Sequence, residues 1–90
     1  MNEIEYKYPI GKIIQGQVVN KQPFGVFIDV GEDVSKIIGL IHLPQLIEKG
    51  YSGVFEFPEI GKYVFSEIID VRKSIKGNYE IYLSPDLSTR

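Results

Sequence analysis

Alternation between apolar and polar positions is most regular over residues 25–30. Val26 and Ile28 fall on one side of the pattern, and Phe27 and Asp29 fall on the other. Successive side chains of a β-strand point to opposite faces of the sheet, so this pattern predicts a strand. Because an unpaired carboxylate is costly to bury, the side with Asp29 is predicted to face solvent. Phe27 is then predicted on the solvent side, where packing of the core does not explain it.

Four further runs between turn residues are rich in β-branched and aromatic side chains, a composition typical of strands. These predicted strands cover residues 12–20, 37–42, 62–72 and 79–83. Residues 43–49 predict a short helix, because a proline stands near its start and a glycine follows its end. Five strands with a helix between the third and the fourth are the layout of an OB-fold. The sequence therefore predicts an all-β, five-stranded OB-fold barrel with a short helix between strands 3 and 4.

Two positions predict irregularities in these strands. Gly16 lies inside the first run, where a glycine weakens a strand and marks a bend or bulge. In the fourth run the apolar pattern changes parity at Ile68 and Ile69, which predicts a β-bulge. In the last run the alternation places Glu80 and Tyr82 on the outside of the barrel.

The composition sets limits on the function. A chain of 90 residues with a net charge of −2 can carry only a local basic patch for a nucleic acid. It has no cysteine and a single histidine, which excludes thiolate and multi-histidine metal sites, and we expect neither a metal nor a cofactor. Its apolar runs are far shorter than the roughly 20 residues of a membrane-spanning helix. With no signal-peptide pattern at its start, the protein is expected in the cytoplasm, away from membranes.

The pattern of residues does not indicate a catalytic site. The chain has no Gly-rich phosphate loop and no Ser-His-Asp arrangement, and its carboxylates are scattered over predicted turns. We therefore expect a binding protein rather than an enzyme, with no catalytic residues.

Four segments carry a resemblance to a known family, namely residues 11–18 (GKIIQGQV), 24–29 (FGVFID), 39–42 (GLIH) and 81–84 (IYLS). In this order they resemble the S1 RNA-binding domain, a branch of the OB-fold. The predicted organisation is then an S1-type domain over residues 10–84, an N-terminal extension over 1–9 and a tail over 85–90. The resemblance implies an aromatic and basic face on strands 2, 3 and 5 that binds single-stranded RNA.

The resemblance implies RNA contacts at Phe24, Phe27 and His42. Alternation places Phe27 on the outside independently, and an aromatic ring can stack on a base of any sequence. Arg72 and Lys73 belong to the densest positive cluster, and we expect phosphate contacts from them. Plainer roles are available to four of these residues: Phe24 as a cap of the barrel, Phe27 as a surface aromatic residue covered by the helix or by a partner subunit, His42 as a structural hydrogen-bonding group, and Lys73 as part of a solvated turn.

Two positions depart from the family pattern. Members often carry an Asp late in the fourth strand and an Arg early in the fifth, whereas this chain has Arg72 and Glu80 there. These two side chains could form a cross-strand ion pair that preserves the barrel and alters its ligand surface.

Two other functions are consistent with the sequence. A protein-binding OB module, such as an immunity protein or an inhibitor of a basic nuclease, fits the negative charge and the acidic aromatic loop over residues 51–59. In that loop Tyr51, Phe55 and Phe57 could instead plug the open end of the barrel. A ribosome-associated factor is the third hypothesis, in which the RNA is structured and the surrounding protein supplies the missing charge. For the first hypothesis, the single-stranded RNA partner could be ribosomal RNA or mRNA.

Overall fold

The computed structural model describes residues 3–86, which form five strands and two short helices. In chain order these are α1 (Glu3–Lys7), β1 (Ile13–Gln22), β2 (Gly25–Asp29), β3 (Ile37–His42), α2 (Leu43–Glu48), β4 (Tyr63–Lys73) and β5 (Tyr79–Pro85). The predicted fold class is confirmed, and the five strands and α2 all lie within two residues of their predicted bounds. Among the described residues, neither helix has the length or the apolar character needed to cross a bilayer.

The strands close into a barrel in the order β1-β2-β3-β5-β4. Neighbouring strands pair antiparallel except for β3 and β5, which run parallel. Closure pairs every strand on both sides and so removes free sheet edges. It also makes β5 the neighbour of β3, which brings two segments far apart in the sequence onto one surface.

The interior of the barrel is filled by the apolar side of each strand. Val26 and Ile28 of β2 are fully buried, whereas Phe27 and Asp29 lie on the outer side, as the alternation predicted. Leu46 of α2 joins the same interior cluster and closes one end of the barrel.

The loop before β4 contributes to the same closure. Phe57 is buried in the interior cluster and Tyr51 packs against it. Phe55, by contrast, is 93% exposed. The aromatic residues of this loop therefore differ in position. Tyr51 and Phe57 plug the barrel, whereas Phe55 projects from it.

Two β-bulges bend the strands. The register of β4 against β5 shifts between Ile68 and Asp70, which confirms the bulge predicted there. The register of β1 against β2 shifts between Val18 and Asn20, so of the bend or bulge predicted at Gly16 the bulge does not lie at that residue. A Cβ at Gly16 would lie 2.3 Å from Ile28 Cγ2. Gly16 is therefore needed for close approach of β1 to β2, not for a change of register.

The segment before the barrel packs onto it. Tyr8 is buried in the interior cluster, and its hydroxyl donates a hydrogen bond to Glu32 at 2.7 Å. Burial and this bond raise the pKa of Tyr8 far above its usual value. Lys7 forms an ion pair with the same Glu32 carboxylate. In the predicted tail, Pro85 belongs to β5 and is buried, and residues 87–90 lie outside the described part of the chain.

Candidate nucleic-acid interface

One row of outward side chains crosses four strands of the barrel. Phe27 of β2 is in register with Leu40 of β3, and Leu40 is in register with Tyr82 of β5. Tyr82 is in register with Asp70 of β4. Side chains in register project to the same side of a sheet. We call the surface around this row the outer face, with the members Phe24, Phe27, Asp29, Leu40, His42, Asp70, Arg72, Glu80 and Tyr82.

Leu40 forms an apolar floor for the outer face. It points away from the barrel interior and does not belong to the interior cluster, yet only 5% of it is exposed. Its register neighbours on the two sides are Phe27 and Tyr82. Neighbouring strands are about 4.8 Å apart, so these two aromatic residues stand roughly 10 Å apart across Leu40.

Two edge-to-face ring pairs lie on the outer face. The rings of Phe24 and Phe27 have centroids 5.9 Å apart at an angle of 87°. The rings of His42 and Tyr82 have centroids 4.8 Å apart at 69°. Phe24 is 53% exposed, so it does not act as a buried cap of the barrel. The structure thus brings together the three predicted positions Phe24, Phe27 and His42.

His42 stands at the junction of β3 and α2. It occupies the N-cap position of α2, but its side chain makes no capping hydrogen bond. Its imidazole contacts the Tyr82 ring instead. Its position is therefore explained by the ring pair rather than by a hydrogen bond to the helix.

Tyr82 is the aromatic member of the outer face that the sequence did not predict as an RNA contact. Alternation had placed it on the outside and the resemblance had put strand 5 on the binding face, but no pattern in the sequence showed that its ring contacts His42 across the β3–β5 pairing. Burial, followed by the negative charge of Glu80, raises the pKa of Tyr82 above its usual value. Its hydroxyl donates a hydrogen bond to Glu80 Oε1 at 3.3 Å.

Arg72 of β4 lies beside Tyr82 on the outer face. Its Cζ atom is 5.1 Å from the centroid of the Tyr82 ring, a cation–π contact. Arg72 is in register with Glu80, but its Nε bonds Asp70 Oδ2 on its own strand at 2.9 Å. The expected pair with Glu80 is therefore replaced by a pair with Asp70. This bond lowers the pKa of Asp70 and raises that of Arg72.

Lys73 is separated from the outer face. It follows Arg72 directly in β4, so its side chain projects from the opposite side of the strand. Its ammonium group lies 5.8 Å from the centroid of the Tyr79 ring, with which it is in register. The structure brings Arg72 to the aromatic residues and leaves Lys73 near the β4–β5 turn.

The outer face is acidic. Among its members, Asp29, Asp70 and Glu80 carry carboxylates and Arg72 carries the single guanidinium. Asp29 accepts a hydrogen bond from the backbone N–H of Gly31 at 2.8 Å. Within residues 3–86, no three side chains of His, Cys, Asp or Glu are grouped so as to hold a metal ion. The chemistry available on this face is stacking, hydrogen-bond acceptance by the carboxylates, and the single positive charge of Arg72.

Comparison with known proteins identifies the family of this chain. The family described as "S1 RNA binding domain" matches residues 7–78. Over 69 residues the chain is 36% identical to a 4-hydroxy-3-methylbut-2-enyl diphosphate reductase of Clostridium tetani, which covers 77% of this chain and 10% of the reductase. It is 32% identical to small ribosomal subunit protein bS1 of Chlamydia trachomatis over 68 residues, which is 76% of this chain and 11% of bS1. The chain thus spans about a tenth of the length of these relatives.

Among solved structures, the barrel is similar to the solution structure of GSP13 from Bacillus subtilis. The TM-score is 0.71 at 23% identity, over 91% of this chain and 58% of GSP13. At this identity the likeness concerns the fold alone.

Proposed function

Because this chain belongs to the S1 RNA binding domain family, we propose that it binds single-stranded RNA with the outer face and catalyses no reaction. The observation that carries the proposal is the meeting of two aromatic pairs, Phe24–Phe27 and His42–Tyr82, on one side of the barrel. The similarity to ribosomal protein bS1 favours ribosomal RNA or mRNA as the natural ligand.

Stacking is the main source of affinity in this proposal. Phe27 is half-buried and keeps part of its ring open to solvent, and Phe24 supports it from the side. A base stacked on an aromatic side chain contributes about 1–3 kcal/mol, with little dependence on its sequence. The spacing of roughly 10 Å between Phe27 and Tyr82 leaves room for separate bases on the two aromatic pairs.

Phosphate contacts are a minor contribution. Arg72 is the cation of the outer face, and it already forms an ion pair with Asp70. We propose that Lys73 meets the RNA backbone only where the strand passes the β4–β5 turn. Since each phosphate contact releases about one counterion, the affinity should fall with added salt, but less steeply than for a basic RNA-binding surface.

Fluorescence anisotropy with a labelled single-stranded RNA tests this proposal. Phe27→Ala should weaken binding about tenfold, which corresponds to about 1.4 kcal/mol and lies within the range of one stacked base. Phe65→Ala is the matched control, because Phe65 is a 40% exposed aromatic residue of β4 that lies outside the outer face. Equal affinities for Phe27→Ala and the wild-type protein would show that the RNA does not stack on this face.

A second candidate is the docking of a basic protein on the β1–β4 side of the barrel. Tyr63 and Phe65 are exposed there beside a cavity of about 230 Å³ that Tyr51 and Pro58 also line. The net charge of −2 favours a positively charged partner. If this is the function, Tyr63→Ala should abolish capture of such a protein, and Phe27→Ala should not affect it.

A further inference from the structure

Glu80 is held beside the aromatic residues of the outer face. It lies on the outer side of β5 two residues before Tyr82, and it is half-buried. The Tyr82 hydroxyl donates to Glu80 Oε1 at 3.3 Å. Because the hydroxyl is the outermost atom of a tyrosine side chain, the carboxylate reaches the outer rim of the ring. This is the level at which the edge of a stacked base would lie.

The other charged groups nearby leave this carboxylate available. Arg72 bonds Asp70 Oδ2, and Asp70 Oδ1 accepts the backbone N–H of Val71, both at 2.9 Å. Both oxygens of Asp70 are therefore engaged. Within residues 3–86, Glu80 Oε1 accepts one hydrogen bond and Oε2 accepts none. An ionised carboxylate can accept about four hydrogen bonds. Glu80 thus has more free acceptor positions than Asp70.

We propose that Glu80 makes the outer face select guanine, by accepting hydrogen bonds from the N1–H and the 2-amino group of a base stacked against Tyr82 and Arg72. This inference rests on the proposed RNA-binding function, and it adds a base preference to it. Arg72 suits the stacked position, because bases stack on planar guanidinium groups as well as on aromatic rings. Its guanidinium bonds Asp70 and contacts the ring of Tyr82.

The preference for guanine follows from the chemistry of the base edges. A carboxylate only accepts hydrogen bonds, and two parallel donors match its two oxygens. The Watson–Crick edge of guanine presents two adjacent donors. Uracil presents one N–H between two carbonyl oxygens, which a carboxylate repels. In adenine and cytosine a single amino group stands beside a ring-nitrogen lone pair. Because stacking alone distinguishes bases poorly, the discrimination is assigned to Glu80.

The test compares three labelled RNAs: an oligouridine, the same oligomer with one central guanosine, and the same oligomer with inosine, which lacks the 2-amino group. The wild-type protein should bind the guanosine oligomer roughly tenfold more tightly than oligouridine, within the range of one bidentate base contact, and inosine should fall between them. Glu80→Gln should abolish the preference, because the amide offers one acceptor and one donor. Glu48 is exposed at the end of α2, so Glu48→Gln removes the same charge elsewhere and should retain the preference for guanosine.

The outcomes separate the preference from the function. If the three oligomers bind equally to the wild-type protein, or if the preference persists in Glu80→Gln, the assignment to Glu80 is overturned while RNA binding stands. If no oligomer binds, the proposed function fails and the guanine preference fails with it. Thermal unfolding of Glu80→Gln, followed by circular dichroism, verifies that the variant is folded when its affinities are compared.

Discussion

Ser66 is the polar residue on the interior side of β4. It alternates with the inward residues Val64 and Ile68, and only 1% of it is exposed. Its Oγ atom has no hydrogen-bond partner among the described residues. Burying an unpaired hydroxyl costs roughly 1–3 kcal/mol, so this residue lowers the stability of the barrel.

Ser66→Ala should therefore raise the free energy of unfolding by about 1 kcal/mol, because it removes the unpaired hydroxyl and keeps the Cβ atom. Urea denaturation followed by circular dichroism measures the change. Ile68→Ala, two residues away on the same inward side, is the comparison and should lose about 2–5 kcal/mol. A loss of stability in Ser66→Ala would mean that the hydroxyl has a stabilising partner.

At the scale of single residues, the sequence could predict that a side chain lies on the outer face, but not which side chains it contacts there. Phe27 was placed outside by alternation, and that was sufficient, because the strand period fixes the side of each residue. The role of Tyr82 depends on its contact with His42 across the β3–β5 pairing, which no local pattern encodes. Lys73 was grouped with Arg72 because the two are adjacent in the chain, yet adjacent residues of a strand point to opposite sides.

β1 is under a tight steric constraint at Gly16. It pairs with β2 along one half and with β4 along the other, and Gly16 stands opposite Val64 of β4. A Cβ at Gly16 would lie 2.3 Å from Ile28 Cγ2 and 2.8 Å from the carbonyl oxygen of Asp29. The side chain of Ile28 could move, but the backbone oxygen belongs to the ladder of the neighbouring strand.

Gly16→Ala should destabilise the protein by at least about 1–3 kcal/mol, the usual cost of overpacking an interior. Gly53→Ala is the control, because no atom lies within 4 Å of a Cβ placed there and its backbone has no positive φ. The shift in melting temperature of each variant measures the effect. Similar melting temperatures for the two variants would show that β1 can move away from β2 without loss.

At the scale of elements, the strands and one of the two bulges were predictable, whereas the other bulge and α1 were not. The five strands follow from turn residues and β-branched runs, and the bulge near Ile68 follows from a change of parity. The bulge between Val18 and Asn20 leaves no comparable mark in the sequence. α1 has five residues, too few for a helical periodicity, and a helix of this length depends on tertiary contacts.

For the whole molecule, barrel closure creates the candidate site. Phe27, Leu40 and Tyr82 come from three strands, and the parallel pairing of β3 with β5 places them in one row. On the β1–β4 side, Tyr63 and Phe65 form a separate exposed aromatic surface. We propose that RNA occupies the first surface and not the second.

The most direct test is an NMR titration of the ¹⁵N-labelled protein with a short single-stranded RNA, following every backbone amide. We expect chemical-shift changes concentrated at residues 24–29, 38–42 and 80–84, with the amides of Tyr63 and Phe65 little affected. Changes centred on Tyr63 and Phe65, or no changes at saturating RNA, would contradict the assignment of RNA binding to the outer face.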